Sequence, residues 1–127
     1  MQILVVDDNR DTADALAWLL QSIGHQARAA YDGPAALLAV ERHSPDVIIQ
    51  DLGMPQMTGY EIARRMRKLS AARDALLVAV TGNPPPDGLR AAKEAGFDHL
   101  LVKPLGLPAL EALLAARAPR SSASGRG

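Results

Sequence analysis

Acidic, hydroxyl and amine side chains follow four short apolar runs of this 127-residue chain. Asp7 and Asp8 come directly after Ile-Leu-Val-Val, and Asp51 follows Val-Ile-Ile-Gln. Thr81 and Lys103 follow two further apolar runs. Three carboxylates that lie close together repel one another unless a cation joins them. Oxygen ligands with open positions favour Mg²⁺, which takes one or two carboxylates, several waters and a phosphate oxygen.

The elements that must gather these residues are short strands alternating with longer amphipathic helices. Three strand candidates are continuously apolar, as expected of strands covered on both faces. The second and fifth are more polar, which suits positions near the edges of a sheet. The predicted strands are Gln2–Val6, Gln26–Tyr31, Asp46–Gln50, Ala75–Val80 and Asp98–Val102.

Five helices are predicted between and after these strands. The first has Asn9 or Asp11 as its N-cap and Gly24 as its stop. We expect its buried face to carry Leu16, Leu19, Leu20 and Ile23. The helices are predicted at Arg10–Gly24, Pro34–His43, Gly59–Leu69, Asp87–Ala95 and Pro108–Arg117. Residues 1–117 therefore form one domain, and residues 118–127, with little to bury, are predicted to be a disordered tail.

This alternation predicts an α/β fold, with a five-stranded parallel sheet and helices on both of its faces. Ligands of such sheets bind at the carboxyl ends of the strands, where the strand order reverses. In the order 2-1-3-4-5 this point lies between strands one and three. The strands that end in carboxylates are this same pair, so we expect Asp7, Asp8 and Asp51 to converge there.

Composition narrows the range of functions. Lys plus Arg and Asp plus Glu number 14 each, and aromatic residues make up 3% of the chain, which argues against nucleic-acid binding. Because the chain has no cysteine, a disulfide scaffold, a zinc finger and a thiol nucleophile are excluded. No apolar run is long enough to span a bilayer, and no signal peptide is evident. We expect a cytoplasmic domain without membrane contact.

Taken together, these motifs resemble the receiver domain of two-component response regulators, the CheY-like fold. The resemblance covers residues 1 to about 117. It rests on Ile-Leu-Val-Val-Asp-Asp-Asn, Asp-Val-Ile-Ile-Gln-Asp-Leu-Gly-Met-Pro, Ala-Val-Thr-Gly and Leu-Val-Lys-Pro. Other segments, such as Tyr-Asp-Gly-Pro-Ala-Ala-Leu and Gly-Phe-Asp-His, are similar to receivers attached to hybrid sensor histidine kinases.

The resemblance implies that Asp51 is a phosphoacceptor that attacks a phosphohistidine of a kinase or phosphotransfer protein. It also implies that Mg²⁺ is held by Asp7, Asp8, Asp51 and the backbone carbonyl of Gly53. Within that set, Asp8 contacts the metal directly and Asp7 acts through water. The domain is then a Mg²⁺-dependent, self-phosphorylating phosphoacceptor with slow autodephosphorylation, and not a conventional enzyme.

Further roles follow from the same resemblance. Lys103 pairs with the new phosphate, Thr81 and the backbone N–H of Gly82 complete its oxygen contacts, and the Lys103–Pro104 bond is cis. Leu100 stands where the family usually has the Tyr or Phe that acts as a switch with Thr81. We therefore expect phosphorylation to move Thr81 and the loop from Gly82 to Gly88 and to change the fifth strand little.

A phosphodonor partner is predicted to dock on a stripe of the first helix. The stripe consists of Asp11, Ala15, Trp18 and Ser22. The alternative is that Trp18 packs under the fifth helix. That last helix lacks the charged residues that common transcription-factor receivers use to dimerise, so a monomer is expected.

Three other functions are considered. A haloacid-dehalogenase-type enzyme needs an acid two residues after its nucleophile, and Gly53 occupies that position. A dinucleotide-binding domain needs a Gly-rich turn where Asp7, Asp8 and Asn9 stand. A degenerate receiver that acts as a phosphorylation-independent interaction domain is the third, and the presence of all the family's site residues argues against it. Whether the chain stands alone or belongs to a larger hybrid kinase is left open.

Overall fold

A parallel five-stranded sheet forms the centre of the molecule, which a computed structural model describes for residues 1–54 and 57–117. Numbered along the chain, the strands lie across the sheet in the order 2-1-3-4-5. This confirms the predicted topology and the edge positions of the two more polar strands. The predicted tail, 118–127, lies outside the described residues. The strands are β1 (Gln2–Val6), β2 (Gln26–Ala30), β3 (Val47–Asp51), β4 (Leu76–Thr81) and β5 (His99–Val102).

In the described part of the chain, five helices and one short 3₁₀ turn, at Ser70–Ala72, connect and follow the strands. At the start of the first helix, the Asn9 side chain accepts a hydrogen bond from the Thr12 N–H. After its end, Gly24 adopts a φ of +100°, which glycine tolerates without strain. None of the helices among the described residues is long and apolar enough to cross a membrane. The helices are α1 (Arg10–Ser22), α2 (Gly33–His43), α3 (Gly59–Arg67), α4 (Gly88–Ala95) and α5 (Leu107–Arg117).

Two apolar layers cover the sheet, because successive side chains of a strand point to opposite faces. Ile48 belongs to the layer packed against α2, α3 and α4, and Ile49 belongs to the layer packed against α1 and α5. Every residue of β3 is buried. This central position explains the continuously apolar start of its sequence.

The buried face of α1 differs from the prediction. It consists of Ala13, Ala17 and Leu20, whereas Ile23 is 40% exposed and Leu16 is only half-buried. The leucine periodicity was therefore an incomplete guide to the buried face. Small alanine side chains let the helix lie close to β1 and β2, with Leu20 fully buried beside them, while Leu16 and Leu19 are only half-buried.

Strands β3 and β4 each extend one residue beyond their predicted ends. Asp51 pairs with Val80, and Thr81 pairs with Val102. The polar side chains that suggested a strand end do not interrupt backbone pairing. Asp51 and Thr81 are consequently held by the sheet itself, and not by flexible loops.

The far end of α3 is fixed by one arginine. Arg67 donates hydrogen bonds to the carbonyl oxygens of Gly96, Ala72 and Ala75, at 2.8, 3.1 and 3.0 Å. Its second terminal nitrogen lies 2.9 Å from a carboxylate oxygen of Asp98. A guanidinium supplies five donors in a rigid fork, so this side chain joins α3 to the loops before β4 and β5.

Candidate functional site

An acidic cluster lies at the carboxyl ends of β1 and β3, where the strand order reverses. Asp7, Asp8 and Asp51 each offer a carboxylate oxygen, and these three atoms lie within 4.8 Å of one another. Asp7 and Asp51 are buried, with 5% and 8% of their surfaces exposed, while Asp8 is exposed. The structure thus brings together the three carboxylates that the sequence placed at these strand ends.

One ammonium group contacts both buried carboxylates. Lys103 Nζ lies 3.3 Å from Asp7 Oδ2 and 3.5 Å from Asp51 Oδ1. The backbone N–H of Lys103 donates to the Thr81 carbonyl at 2.9 Å, which extends the pairing of β4 with β5 up to the site. The Lys103–Pro104 peptide bond is cis.

Burial and charge act in opposite directions on these groups. Burial raises the pKa of Asp51, and the negative charge of Asp7 adds to this rise. The Gly53 N–H and Lys103 favour the charged carboxylate, but the pKa remains above its usual value. Burial lowers the pKa of Lys103, but the charges of Asp51 and Asp7 outweigh this effect and raise it overall. The lysine therefore stays protonated.

Backbone donors orient the two buried carboxylates. The Asn9 N–H donates to Asp7 Oδ1 at 3.0 Å, and the Gly53 N–H donates to Asp51 Oδ1 at 3.3 Å. A charged carboxylate accepts such bonds more strongly than a neutral group does. Each carboxylate is held by the loop that follows its own strand.

The donor set fits a magnesium ion. It contains hard oxygen ligands, which Mg²⁺ prefers, and Asp8 faces solvent, so several waters can remain on the metal. When Asp7, Asp8 and Asp51 are all ionised they carry three negative charges, of which Lys103 balances one. A divalent cation would neutralise the remaining two.

Thr81 and Gly82 lie at the end of β4, beside the acidic cluster along the sheet edge. The Thr81 hydroxyl accepts a hydrogen bond from the Asn83 N–H at 3.2 Å. Gly82 is exposed, with open space where a Cβ atom would stand. Within residues 1–54 and 57–117, no hydrogen bond links either residue to the carboxylates.

Two residues that support Asp51, Gly59 and Gln50, had no site role predicted from the sequence. A Cβ atom at Gly59 would lie 2.6 Å from the Asp51 carbonyl oxygen and 2.7 Å from Leu52 Cα, so only glycine allows α3 to begin there. Gln50 is fully buried and donates to the Asp51 carbonyl at 2.8 Å. The sequence signal that could have identified Gln50 is its polar side chain at the end of the apolar run Val-Ile-Ile, directly before Asp51.

This fold and site agree with the family comparison. Residues 3–115 match the model of the response regulator receiver domain. The chain belongs to this family, whose members act in two-component signalling.

Relatives include receiver segments of sensor kinases. The chain is 38% identical over 120 residues to the sensor histidine kinase RcsC of Salmonella typhi, covering 94% of this chain and 12% of that protein. It is 35% identical over 127 residues to the virulence sensor protein BvgS of Bordetella bronchiseptica, covering 96% of this chain and 10% of that protein. The chain thus spans about a tenth of the length of these relatives.

Solved structures show the same architecture. Chemotaxis protein CheY4 of Vibrio cholerae superposes with a TM-score of 0.86 at 30% identity, covering 92% of this chain and 98% of that chain. The receiver domain of the sensor histidine kinase PA1611 of Pseudomonas aeruginosa superposes with a TM-score of 0.81 at 28% identity, covering 91% and 94%. That structure has a magnesium ion coordinated in its active site cleft.

The raised pKa of Asp51 leads to a prediction about stability. At neutral pH the ionised carboxylate is held in a folded state that disfavours it, so Asp51→Asn is expected to stabilise the metal-free protein by about 1 kcal/mol. As the pH falls, wild-type Asp51 takes up a proton in the folded state before the unfolded state does. The difference in free energy of unfolding between Asp51→Asn and wild type should therefore decrease as the pH falls. Urea unfolding in EDTA at several pH values measures both effects.

The matched control is Asp87→Asn. Asp87 is exposed and pairs with Arg90 at the surface, so its loss should change stability little at any pH. Equal effects of Asp51→Asn and Asp87→Asn at every pH would contradict the argument from burial.

Proposed function

We propose that Asp51 accepts a phosphoryl group from a phosphohistidine of a histidine kinase or a histidine phosphotransfer protein. The observation that carries the proposal is the convergence of three carboxylate oxygens within 4.8 Å, with the Lys103 ammonium in contact with Asp7 and Asp51. Such a cluster suits a divalent cation and an incoming phosphate better than it suits a purely structural role.

The proposed step is an in-line transfer. A carboxylate oxygen of Asp51 forms a bond to phosphorus while the phosphorus–nitrogen bond of the donor breaks, and the electron pair stays on the imidazole nitrogen. Asp7 and Asp8, with Asp51 and the Gly53 carbonyl, would hold Mg²⁺, which neutralises charge on the transferring oxygens. Lys103 would then pair with the phosphate as a point charge, and Thr81 and the Gly82 N–H would contact its oxygens.

In this function the domain is a phosphoryl carrier with slow self-hydrolysis and not a turnover enzyme. A degenerate receiver is not favoured, since the acidic residues and the lysine are all present and in contact or close proximity. The sensor kinases among the relatives suggest that the domain can work as part of a larger kinase. We also propose that the domain acts in the cytoplasm and that it is a monomer.

Phosphorylation by a small donor tests the assignment. Incubation with acetyl phosphate and Mg²⁺ is expected to add one phosphoryl group, and intact-mass measurement will detect it. Asp51→Asn should abolish the mass increase, because an amide cannot form the acyl phosphate. Omission of Mg²⁺ should greatly slow labelling of the wild type. Equal labelling of wild type and Asp51→Asn would refute Asp51 as the acceptor.

The exposed stripe of α1 supports a docking surface for the phosphodonor. Asp11, Ala15, Trp18 and Ser22 are all exposed. Trp18 is 68% exposed, so the alternative that it packs under α5 is wrong. An exposed tryptophan among small and polar residues is typical of an interface anchor. The stripe lies on the helix that begins directly after Asp7 and Asp8, so a partner seated on it would be close to Asp51.

Trp18→Ala tests the docking surface. We expect phosphotransfer from a phosphorylated histidine phosphotransfer protein, at subsaturating donor, to slow about tenfold. Labelling by acetyl phosphate should be unchanged, since the small donor does not need the helix. Leu38→Ala is the control, because Leu38 is exposed on α2, on the opposite face of the sheet. A rate for Trp18→Ala equal to that of Leu38→Ala would argue against docking on α1.

The contacts of Thr81 and Leu100 support the proposed switch. The Thr81 hydroxyl accepts a hydrogen bond from the Asn83 N–H. If the hydroxyl turned toward a phosphate, this bond would break and the loop would be disturbed. Leu100 is half-buried, and its Cδ2 would lie 3.2 Å from a Cβ atom at Gly88, so it packs against the start of α4. A leucine there offers no hydroxyl to exchange a buried position for a surface hydrogen bond.

Beryllofluoride, which mimics the phosphoryl group, tests this switch. The largest changes in backbone amide chemical shift outside the site are expected at Thr81 and in the loop from Gly82 to Gly88. The three prolines of that loop restrict its dihedrals and favour a hinge-like movement. Shifts concentrated at Leu100 and α5 would show that β5 carries the signal instead.

A further inference from the structure

Gln50 is unusual among the buried residues. The structure describes three buried polar or charged side chains, and the other two are the site carboxylates Asp7 and Asp51. Gln50 is 0% exposed and lies between Val6 of β1 and Ala79 of β4, neither of which has a polar side chain. Burial of an amide among such neighbours is unfavourable unless its hydrogen bonds are made.

The Gln50 amide nitrogen connects Asp51 with the loop that follows it. Nε2 lies 2.8 Å from the Asp51 carbonyl oxygen and 3.3 Å from Met54 Sδ. Between these two contacts lies Gly53, whose N–H donates to the Asp51 carboxylate. The side chain thus fixes both ends of the segment that carries the phosphoacceptor and Gly53.

The amide oxygen of Gln50 does not contribute to this arrangement. Oε1 is buried and has no hydrogen-bond partner among residues 1–54 and 57–117. An unpartnered buried acceptor is destabilising, and such groups in folded proteins call for an explanation in terms of strain or function. An apolar side chain of similar length would fill the same space without this cost but could not hold the Asp51 carbonyl.

We infer that Gln50 is a positioning residue for the phosphoacceptor site. It holds the Asp51 peptide and Met54 so that Gly53 is already in place when Mg²⁺ and the phosphoryl group arrive. The inference rests on the proposed phosphoacceptor function of Asp51. Gln50 itself reaches the site only through the backbone and the loop, so its removal should act on metal affinity and loop order.

Gln50→Met tests the inference, since methionine keeps the unbranched length and lacks the N–H donor. The urea midpoint of the metal-free protein should remain near that of wild type, because the two hydrogen bonds of Nε2 and one unpartnered acceptor are lost together. Hydrogen exchange of the Gly53 amide should become faster. The Mg²⁺ concentration that gives half-maximal binding by calorimetry should rise about tenfold, as is typical when groups supporting metal ligands are removed. Saturating Mg²⁺ should restore most of the acetyl phosphate labelling rate, because bound metal orders the loop.

Ile48→Val is the matched control on the same strand and the same face. Ile48 is fully buried without polar contacts to make, so its truncation should lower the urea midpoint and leave Mg²⁺ affinity unchanged. Gln50→Leu provides a second apolar variant. If both Gln50 variants lose stability in step with Mg²⁺ affinity, or if they bind Mg²⁺ as wild type does, the inference is overturned. If wild type takes up no phosphoryl group, the proposed function fails, while Gly53 exchange and Mg²⁺ affinity still test Gln50.

Discussion

The structure of this protein depends on holding two like charges close together at the carboxyl ends of neighbouring strands. Asp7 and Asp51 are buried side by side at the ends of β1 and β3, where their mutual repulsion and their burial are both unfavourable. Lys103 offsets part of this repulsion from the end of β5, two strands away from β3. The parallel sheet is therefore more than a scaffold. Its register decides that a cation from the last strand reaches carboxylates from the first and third.

The residues that suit the proposed function at these strand ends are unfavourable for the stability of the fold. Three polar or charged side chains are buried among the described residues. Asp7 and Asp51 belong to the site, and Gln50 directly precedes Asp51 in the sequence. The rest of the interior is apolar and divided into two layers, which supply the free energy that tolerates such a cluster. Gly59 also serves the site, because the absence of a side chain lets α3 begin against the Asp51 carbonyl. Binding of a divalent cation would relieve the repulsion that folding leaves in place.

Two surfaces flank the site, and in the proposed function they serve as an input side and an output side. The exposed face of α1, centred on Trp18, begins directly after the acidic pair. The loop after Thr81 and the start of α4 lie beyond β4, and there Leu100 packs against Gly88. Both surfaces follow the carboxyl ends of strands, β1 for the first and β4 for the second. A phosphoryl group on Asp51 would therefore be placed to connect a partner on one side with a loop on the other.

The sequence alone determined the order of the elements, the parallel sheet, the site carboxylates and Lys103, because apolar runs and the residues that end them are local features. It did not determine the buried face of α1, where close packing on the sheet favoured Ala13 and Ala17 over Ile23. Nor did it determine that β3 and β4 continue through Asp51 and Thr81, since backbone pairing depends on the neighbouring strand. The contacts of Lys103 with both Asp7 and Asp51, and of Gln50 with the Asp51 carbonyl and Met54, were decided by the tertiary structure. Their partners and distances are set by strand register and by loop paths, which no local pattern of residues specifies.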